Sequence, residues 1–369
     1  MKKGYGFSLT VLLLCLLLVF RFDAMIGWSL RMISKDYKVA GEVVFNQNND
    51  FEYRASVFEA DRGYVVVDPL GVEYVSEDGQ TVWKKDLASQ NVVADASGKS
   101  IAVAEKKSGN LFLLDLEGNI TATHSGLGSV ARIKVLDSNH IGVLLSDNRL
   151  LLLDKTLEII ATTTLPSGEV IDFDIDASRE DLVAVLLDLD EDPFDTKLVF
   201  ATFNGSIDRG SSLSEDIVYA LHLQNGCVWV VTDSEVIQYD FESTVLSKTP
   251  IDGTLLKFVY HESDRAMYLL MSKEEAVLSE GTSTESVLRV DASGNETTAF
   301  QSPMSDVKGI VDFGDKFLFY SDSQLMFVAT DGAVIESYPS ESAIVGVHVL
   351  KDGGFAVEYE NALKIYSKR

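Results

Sequence analysis

The densest group of side chains with chemical potential is an acidic run in the middle of the chain. Alternate carboxylates in such a run can converge on one hard cation, and the candidate calcium ligands are Asp188, Asp190, Asp192 and Asp195. The rest of a calcium loop is missing, because Pro193 stands where the sharp turn needs glycine and Val199 stands where a bidentate glutamate belongs. A solvated loop is therefore the favoured interpretation.

The five histidines do not predict a reactive site. No two of them have metal-ligand spacing, no Ser-His-Asp arrangement can be assembled from spacing, and no glycine-rich phosphate loop precedes a helix. His222 and His348 fall in predicted inner strands and are expected to be satisfied wall or core residues. Charges in other inner strands, such as Lys134 and Asp174, are expected to line a wet channel. We therefore predict no catalytic residues, no metal and no cofactor.

The elements that must position these residues are short strands in a repeated layout. From residue 50 onward, apolar runs of 5–8 residues alternate with Gly, Asp, Asn and Ser, and hardly any helical periodicity is present. The runs form units that begin near residues 53, 91, 130, 170, 217, 255, 307 and 344. Four strands in about 40 residues is the spacing of a propeller blade. The predicted fold is an all-β propeller of about eight four-stranded blades, with seven as the alternative.

The last unit supplies only three strands, and the missing fourth has a candidate at the other end of the chain. Residues 41–47, Gly-Glu-Val-Val-Phe-Asn-Gln, form a candidate strand upstream of the first unit. Such a strand would complete the last blade and remove an open sheet edge. The propeller is therefore predicted to span residues 41–369.

Two units are longer than the others, and each extra segment is expected to interrupt the connection between second and third strands. These connections leave a propeller on the same face as the links between blades, so the two loops should lie on one surface. Function concentrates on loops of a rigid scaffold. The candidate partner-binding residues are Glu191 and Phe194 in one loop and Glu274, Glu275 and Glu280 in the other. A neutral insertion is the alternative.

An apolar run follows the first residues of the chain. We predict a short cytoplasmic tail at residues 1–4, a transmembrane signal anchor at 5–28 and a linker at 29–40. The alternative is a cleaved signal peptide, but Arg21-Phe22-Asp23-Ala24 makes a poor cleavage site. The expected location is the cell membrane, crossed once, with the propeller on the extracytoplasmic side.

The charge is distributed unevenly. The chain carries a net charge of −26, but residues 1–38 hold a net of +4, which leaves −30 for residues 39–369. So acidic a domain is predicted to bind no nucleic acid, because it repels the phosphate backbone. Solubility explains much of this charge, and a partner at the acidic loops would be cationic or bridged by a metal.

The layout resembles that of quinoprotein-like and WD-repeat-like propellers. The segment Asp78-Gly79-Gln80-Thr81-Val82-Trp83 is similar to the Asp-x-x-Thr-Gly-x-x-x-Trp element of quinoprotein blades, shortened by a few residues and present in one unit. As a whole, the chain resembles an uncharacterised family of membrane-anchored bacterial propellers. That resemblance implies an anchored propeller and carries no known activity.

Two classes of function remain open from the sequence. The first is a non-enzymatic scaffold that binds an envelope protein or a cell-wall polymer, which the anchor, the propeller and the lack of a catalytic constellation favour. The second is an enzyme, such as a lyase, a hydrolase or a quinone-dependent dehydrogenase, with its site at the channel mouth. A convergent His/Arg/Tyr cluster at that mouth would favour the enzyme, and a ring of Asp/Glu with ordinary surface character would argue against it.

Overall fold

In the part of the chain that the structure describes, the strands form eight separate sheets of four strands each. The computed structural model describes residues 36–45, 55–68, 70–87, 91–137, 139–176, 178–179, 181–190, 193–202, 207–224, 226–274, 283–351 and 353–369. Each sheet is an antiparallel meander of consecutive strands, except the last, whose order is β1-β32-β31-β30. The blades begin within three residues of the predicted unit starts. The eight-bladed prediction is confirmed.

The first four blades contain strands β2 to β17. Blade 1 consists of β2 (Ser56–Ala60), β3 (Gly63–Asp68), β4 (Gly71–Ser76) and β5 (Thr81–Asp86). Blade 2 consists of β6 (Val92–Ser97), β7 (Ser100–Glu105), β8 (Leu111–Leu114) and β9 (Ile120–His124). Blade 3 consists of β10 (Val130–Val135), β11 (His140–Leu145), β12 (Arg149–Asp154) and β13 (Ile159–Thr164). Blade 4 consists of β14 (Glu169–Asp176), β15 (Asp181–Asp188), β16 (Asp195–Thr202) and β17 (Ile207–Ser212).

The other four blades contain the remaining strands. Blade 5 consists of β18 (Val218–Gln224), β19 (Cys227–Thr232), β20 (Glu235–Tyr239) and β21 (Val245–Pro250). Blade 6 consists of β22 (Thr254–His261), β23 (Ala266–Glu274), β24 (Ser283–Val290) and β25 (Glu296–Gln301). Blade 7 consists of β26 (Gly309–Asp312), β27 (Lys316–Tyr320), β28 (Gln324–Ala329) and β29 (Val334–Pro339). Blade 8 consists of β30 (Ile344–Val349), β31 (Phe355–Tyr359), β32 (Ala362–Lys368) and β1 (Tyr37–Val44).

The hydrophobic core is a ring of eight clusters among the described residues, one at each junction between successive blades. The middle strands have apolar side chains on both faces, as in β3, where all six residues are buried. One face contributes to the junction with the preceding blade and the other to the junction with the following blade. A strand that is buried on both faces has a continuous apolar sequence instead of an alternating one. This explains the apolar runs of the middle strands.

The turn between third and fourth strands is repeated with the same geometry in several blades. An aspartate side chain accepts the backbone N–H four residues later, at 2.7 Å for Asp115 and Asn119 and 3.0 Å for Asp291 and Asn295. The residue three positions after the aspartate has a left-handed backbone, with φ of 81° at Gly118. Asx turns of this kind stabilise the local chain reversal. Part of the acidic composition therefore serves turn formation.

These turns also join neighbouring blades at the outer wall. The Trp83 indole N–H of blade 1 donates to the carbonyl of Leu116 in the turn of blade 2, at 2.8 Å. A Cβ at Gly118 would approach the Trp83 ring to 2.8 Å, so glycine is required there for contact as well as for backbone conformation. His124 bonds the turn of blade 3 in the same way, at 2.9 Å from the Leu157 carbonyl. The tryptophan of the quinoprotein-like element thus makes a contact between blades.

The N-terminal strand closes the ring, as predicted. β1 pairs antiparallel with β32, from Tyr37 opposite Lys368 to Val44 opposite Ala362. The strand begins at Tyr37, four residues before the predicted start at Gly41. Residues 37–39, which the sequence predicts to be part of the linker, pair with residues 366–368 of β32. Of the predicted strand residues, Asn46 and Gln47 lie outside the described residues.

The two faces of the ring carry different connections. One face, here called the loop face, carries the connections between second and third strands and the links between blades. The opposite face, here called the turn face, carries the first-to-second and third-to-fourth turns. Both long insertions lie on the loop face, after β15 and after β23. β1 enters from the turn face, where the Arg369 N–H bonds the Asp36 carbonyl at 2.8 Å.

The predicted anchor at residues 5–28 lies outside the described residues. Within the described ranges, the structure contains no helix with the length and apolar character needed to cross a bilayer.

Closure of the ring depends on Tyr37, whose ring stacks on Phe327 at 5.3 Å and contacts Phe355 at 5.1 Å. Tyr37→Ala is expected to lower the free energy of unfolding by about 3–5 kcal/mol, the usual cost of deleting a buried aromatic ring. Val39→Ala in the same strand is the control, because Val39 is 51% exposed and should change stability by less than about 0.5 kcal/mol. Urea unfolding followed by tryptophan fluorescence measures both. Equal stability of the two variants would contradict this account of closure.

Candidate functional site

The central channel is surrounded by the eight inner strands and widens into a cavity toward the turn face. The cavity has a volume of about 750 Å³ and lies against blades 1 to 5. Its polar lining includes Asp95, Arg132, Lys134, Asp174 and Gln224. Charged residues of both signs therefore meet at this mouth, where the enzyme hypothesis places its active site.

The basic side chains at the mouth, Arg132 and Lys134, form hydrogen bonds and ion pairs with the next blade. Arg132 of blade 3 donates to the Ile171 carbonyl at 2.9 Å and pairs with Asp172 of blade 4 at 3.1 Å. Lys134 donates to the Phe173 carbonyl and lies 3.2 Å from Asp172. Both side chains are held by these bonds across the junction between blades 3 and 4.

Two carboxylates make equivalent connections at neighbouring junctions. Asp95 of blade 2 accepts the Val135 N–H of blade 3 at 2.6 Å. Burial raises the pKa of the Asp95 carboxyl to about 6, against the opposing effect of that hydrogen bond. Burial likewise raises the pKa of Asp174, although Lys134 and the Leu223 N–H of blade 5 favour its charged form. These carboxyl groups are desolvated, and each accepts a hydrogen bond from a backbone N–H of the next blade.

The inner strands of blades 5 to 7 are joined in the same manner. The His222 ring packs on Tyr260 of blade 6 with ring centroids 4.6 Å apart, and burial lowers the pKa of this histidine. Gln224 donates to Glu262 of blade 6. His261 of blade 6 bonds Asp312 of blade 7 at 2.9 Å. Polar side chains at corresponding positions thus connect consecutive blades around much of the channel.

His348 joins the last blade to the first. Its Nδ1 lies 3.1 Å from Glu59 of blade 1, and its Nε2 lies 2.8 Å from Glu358 of its own blade. Burial disfavours the charged imidazole, but the hydrogen bonds and charges of the two glutamates outweigh it and raise the pKa of His348 to about 9. At neutral pH the ring is therefore cationic and bridges two carboxylates across the closure.

The candidate calcium ligands are engaged by a lysine. The Lys197 ammonium lies 2.7 Å from Asp188 and 3.9 Å from Asp195, and therefore pairs with both carboxylates that flank the loop. The Asp190 N–H donates to Asp188 at 3.2 Å, and Asp192 lies outside the described residues. In the described part of the chain, no group of three or more potential ligands could hold a metal ion.

The predicted partner-binding residues are only partly described. Phe194 is half-buried and precedes β16, and Glu274 ends β23. Glu191, Glu275 and Glu280 lie outside the described residues. The structure therefore brings the flanks of both loops to the loop face, on blades 4 and 6, and leaves their pairing with a partner as a prediction.

Reasoning from the sequence missed the bonds between inner strands. The signal was present, because polar residues recur near corresponding positions of the first strands, as at Asp95, Asp174 and Gln224. The sequence alone predicts only a wet channel lining for these residues. Bulges shift the register of the inner strands, for example between Val130 and Arg132, and so decide which face of the strand each side chain occupies. The sequence does not indicate where these bulges occur.

The His348 bridge predicts a pH dependence of stability. The folded-state pKa of about 9 exceeds the unfolded value of about 6.5, so the stabilisation is complete below pH ~6.5 and is lost as the pH rises through ~9. Wild type is therefore expected to melt at a higher temperature than His348→Gln at pH ~6.5, with a difference that shrinks by pH ~9. Differential scanning calorimetry measures this. A difference that stays constant over that range would show that His348 acts without its charge.

Comparison with known proteins agrees with this architecture. BamB from Moraxella catarrhalis is 10% identical in sequence, with a TM-score of 0.54 over 90% of this chain and 97% of that chain. The computationally designed Ika8 protein is also 10% identical, with a TM-score of 0.64 over 89% of this chain and 99% of that chain. Likeness at this identity is a likeness of fold alone. Among curated proteins, none matches the sequence.

The family is shown by the sequence over nearly the whole propeller. Residues 34–365 match the family described as "Family of unknown function (DUF5711)". This range begins just before β1 and ends within β32, so it contains all eight blades together with the closing strand. The chain belongs to the DUF5711 family of unknown function.

Proposed function

We propose that this chain is a binding scaffold, held at the outer side of the cell membrane by its N-terminal segment, that recognises an envelope protein or a wall polymer through its loop face. The observation that carries the proposal is the position at which the chain enters the ring. β1 enters from the turn face, whereas both long loops leave from the loop face. A membrane anchor before β1 directs these loops away from the bilayer.

The distance to the membrane supports this orientation. Eight residues, 29–36, separate the predicted anchor from β1. An extended chain of that length spans at most about 28 Å. The turn face is therefore kept near the membrane surface, and the loop face is the part of the propeller that is accessible to other envelope components.

The charge of the two long loops specifies the chemistry of the partner. Residues 189–194 contain three acidic residues and residues 275–282 contain two, and neither segment contains lysine or arginine. At their flanks, Lys197 is paired with Asp188 and Lys273 with Asp252, both at 2.7 Å. The sequences of both loops therefore carry negative charge and no basic residue, which favours a cationic surface and fast, salt-dependent association.

The binding role is favoured over the enzyme alternative by the channel itself. The ionisable side chains at its mouth bond successive blades, as Arg132 does with Asp172 and His348 does with Glu59. A catalytic acid or base must be able to reach a substrate proton. These side chains are committed to contacts that hold the ring together.

The location is tested by labelling one cysteine on the loop face. Asp190→Cys, in a chain with Cys15→Ser and Cys227→Ser, is expected to react with a membrane-impermeant maleimide in intact spheroplasts, because Asp190 is exposed on the loop face. Labelling only after lysis would contradict the extracytoplasmic location. A membrane protein with an exposed outer cysteine and a cytoplasmic protein of the same cells serve as controls for labelling and for membrane integrity.

The binding surface is tested by crosslinking in intact cells followed by purification of the full-length chain. Replacing residues 189–194 and 275–282 with short Gly-Ser loops is expected to remove the crosslinked partner, while Asp188 and Asp195 keep their contacts with Lys197. The control neutralises Asp78, Glu117 and Asp315 on the turn face and should retain the partner. A partner that survives loop replacement would place the interface elsewhere on the propeller.

A further inference from the structure

On the loop face, three segments of blades 4 and 5 are bonded to one another. The link between the two blades contacts the end of the long loop of blade 4, where the Thr196 hydroxyl donates to the Asp216 carbonyl at 2.7 Å. The same link contacts the second-to-third connection of blade 5. There the Ile217 N–H donates to the Asp233 carboxylate and the Ser234 hydroxyl donates to the Asp216 carboxylate, both at 2.9 Å. These bonds hold the three segments together as one surface.

This surface is strongly acidic. It consists of residues 188–196, 213–219 and 232–235, here called the blade 4–5 surface, which contain nine acidic residues and no lysine or arginine. At no other junction do the corresponding connections contain as many acidic residues. Lys197 and Lys248 border the surface, and each is paired with its carboxylates. Because these two lysines offset only two of the nine negative charges, charge complementarity favours a cationic partner.

Three large apolar side chains are exposed on the same surface. Leu189, Ile217 and Tyr219 are 65%, 49% and 52% exposed. The connections between blades 5 and 6 are acidic too, but none of their described residues is a large, exposed apolar one. Protein interfaces are enriched in tyrosine and depleted of charge at their centre, with a polar rim. The blade 4–5 surface has this composition, since its apolar residues lie among carboxylates.

A bulge at the start of β18 exposes Tyr219. The register shifts between Val218, which lies opposite Thr232, and Ala220, which lies opposite Val231, so Tyr219 has no partner in the ladder. Bulges re-aim a side chain in this way. The corresponding bulges of blades 3, 4, 6 and 8 hold Ala131, Ile171, Leu256 and Val345. The aromatic side chain at this position is therefore a property of blade 5, and the fixed backbone lowers the cost of ordering it on binding.

We propose that the blade 4–5 surface binds a segment of an envelope protein that carries both basic and apolar side chains. The apolar side chains of the segment cover Leu189, Ile217 and Tyr219. Its lysine or arginine side chains pair with exposed carboxylates around them, such as Asp190 and Glu215. A wholly polar wall polymer would leave the three apolar residues in water. The inference rests on the proposed function, because it names the kind of partner that the loop face recognises.

The test uses the full-length chain in detergent and a random dodecapeptide library displayed on phage, depleted first on the same detergent without protein. Enriched sequences are expected to combine lysine or arginine with an aromatic or aliphatic residue. The leading peptide, synthesised with a fluorescein label, is then measured by fluorescence anisotropy. Tyr219→Ser and Leu189→Ser together should weaken its binding by about tenfold or more, because they remove the apolar centre of the contact.

Ile335→Ser is the matched control, because Ile335 is 52% exposed, as Tyr219 is, but follows the third-to-fourth turn of blade 7 on the turn face. It should leave peptide affinity within about twofold of wild type. Thermal melting checks that every variant folds, as expected for substitutions of exposed residues. The proposal would be overturned by the absence of any enriched peptide, by enriched peptides without basic residues, or by unchanged affinity in the Leu189→Ser/Tyr219→Ser chain.

Crosslinking in intact cells separates this inference from the proposed function, with Ile217→Ser/Tyr219→Ser compared with the replacement of both long loops. Loss of the crosslinked partner in both chains would support the inference. A partner lost on loop replacement but retained by Ile217→Ser/Tyr219→Ser would overturn it and leave loop-face binding intact. A partner retained by both chains would overturn the proposed function as well. A partner that resists protease digestion would be a polymer and would also overturn the inference.

Discussion

The structure depends on the burial of both faces of every blade. The middle strands are apolar on both sides, so a sheet such as that of blade 1 needs a neighbour on each face. Only a closed ring gives every sheet two neighbours, and the eight junction clusters are the result. The pairing of β1 with β32 completes blade 8 and closes the ring. All eight blades therefore depend on this pairing, because an open ring would leave two sheets with an exposed apolar face. The hydrophobic effect supplies the driving force for this closure.

Around the channel, the same constraint determines what the polar residues do. Inner strands converge there, and their charged side chains lose part of their hydration, as the raised pKa of Asp95 shows. A desolvated charge needs a partner, and the nearest partners belong to the adjacent blade. The bonds of Arg132, Lys134, His261 and His348 follow from this geometry. The charged channel therefore contributes to ring assembly.

The long connections and the N-terminal strand lie on opposite sides of the ring. The two acidic loops leave blades 4 and 6 on the loop face, whereas β1 enters from the turn face. The strand order of the blades fixes this arrangement, because every second-to-third connection leaves a blade on the side opposite to its third-to-fourth turn.

The repeat, the number of strands in each unit and the closing strand at the N-terminal side can all be predicted from the sequence. The apolar runs and turn residues that indicate them lie within a few residues of each other. The start of β1 cannot be predicted in this way, since the pairing of Tyr37 with Lys368 joins the two ends of the propeller sequence. The contacts of Asp188 with Lys197 and of His348 with Glu59 and Glu358 are visible only in the folded chain. They depend on strand register, on bulges and on the packing of strands and blades, which local sequence patterns do not specify.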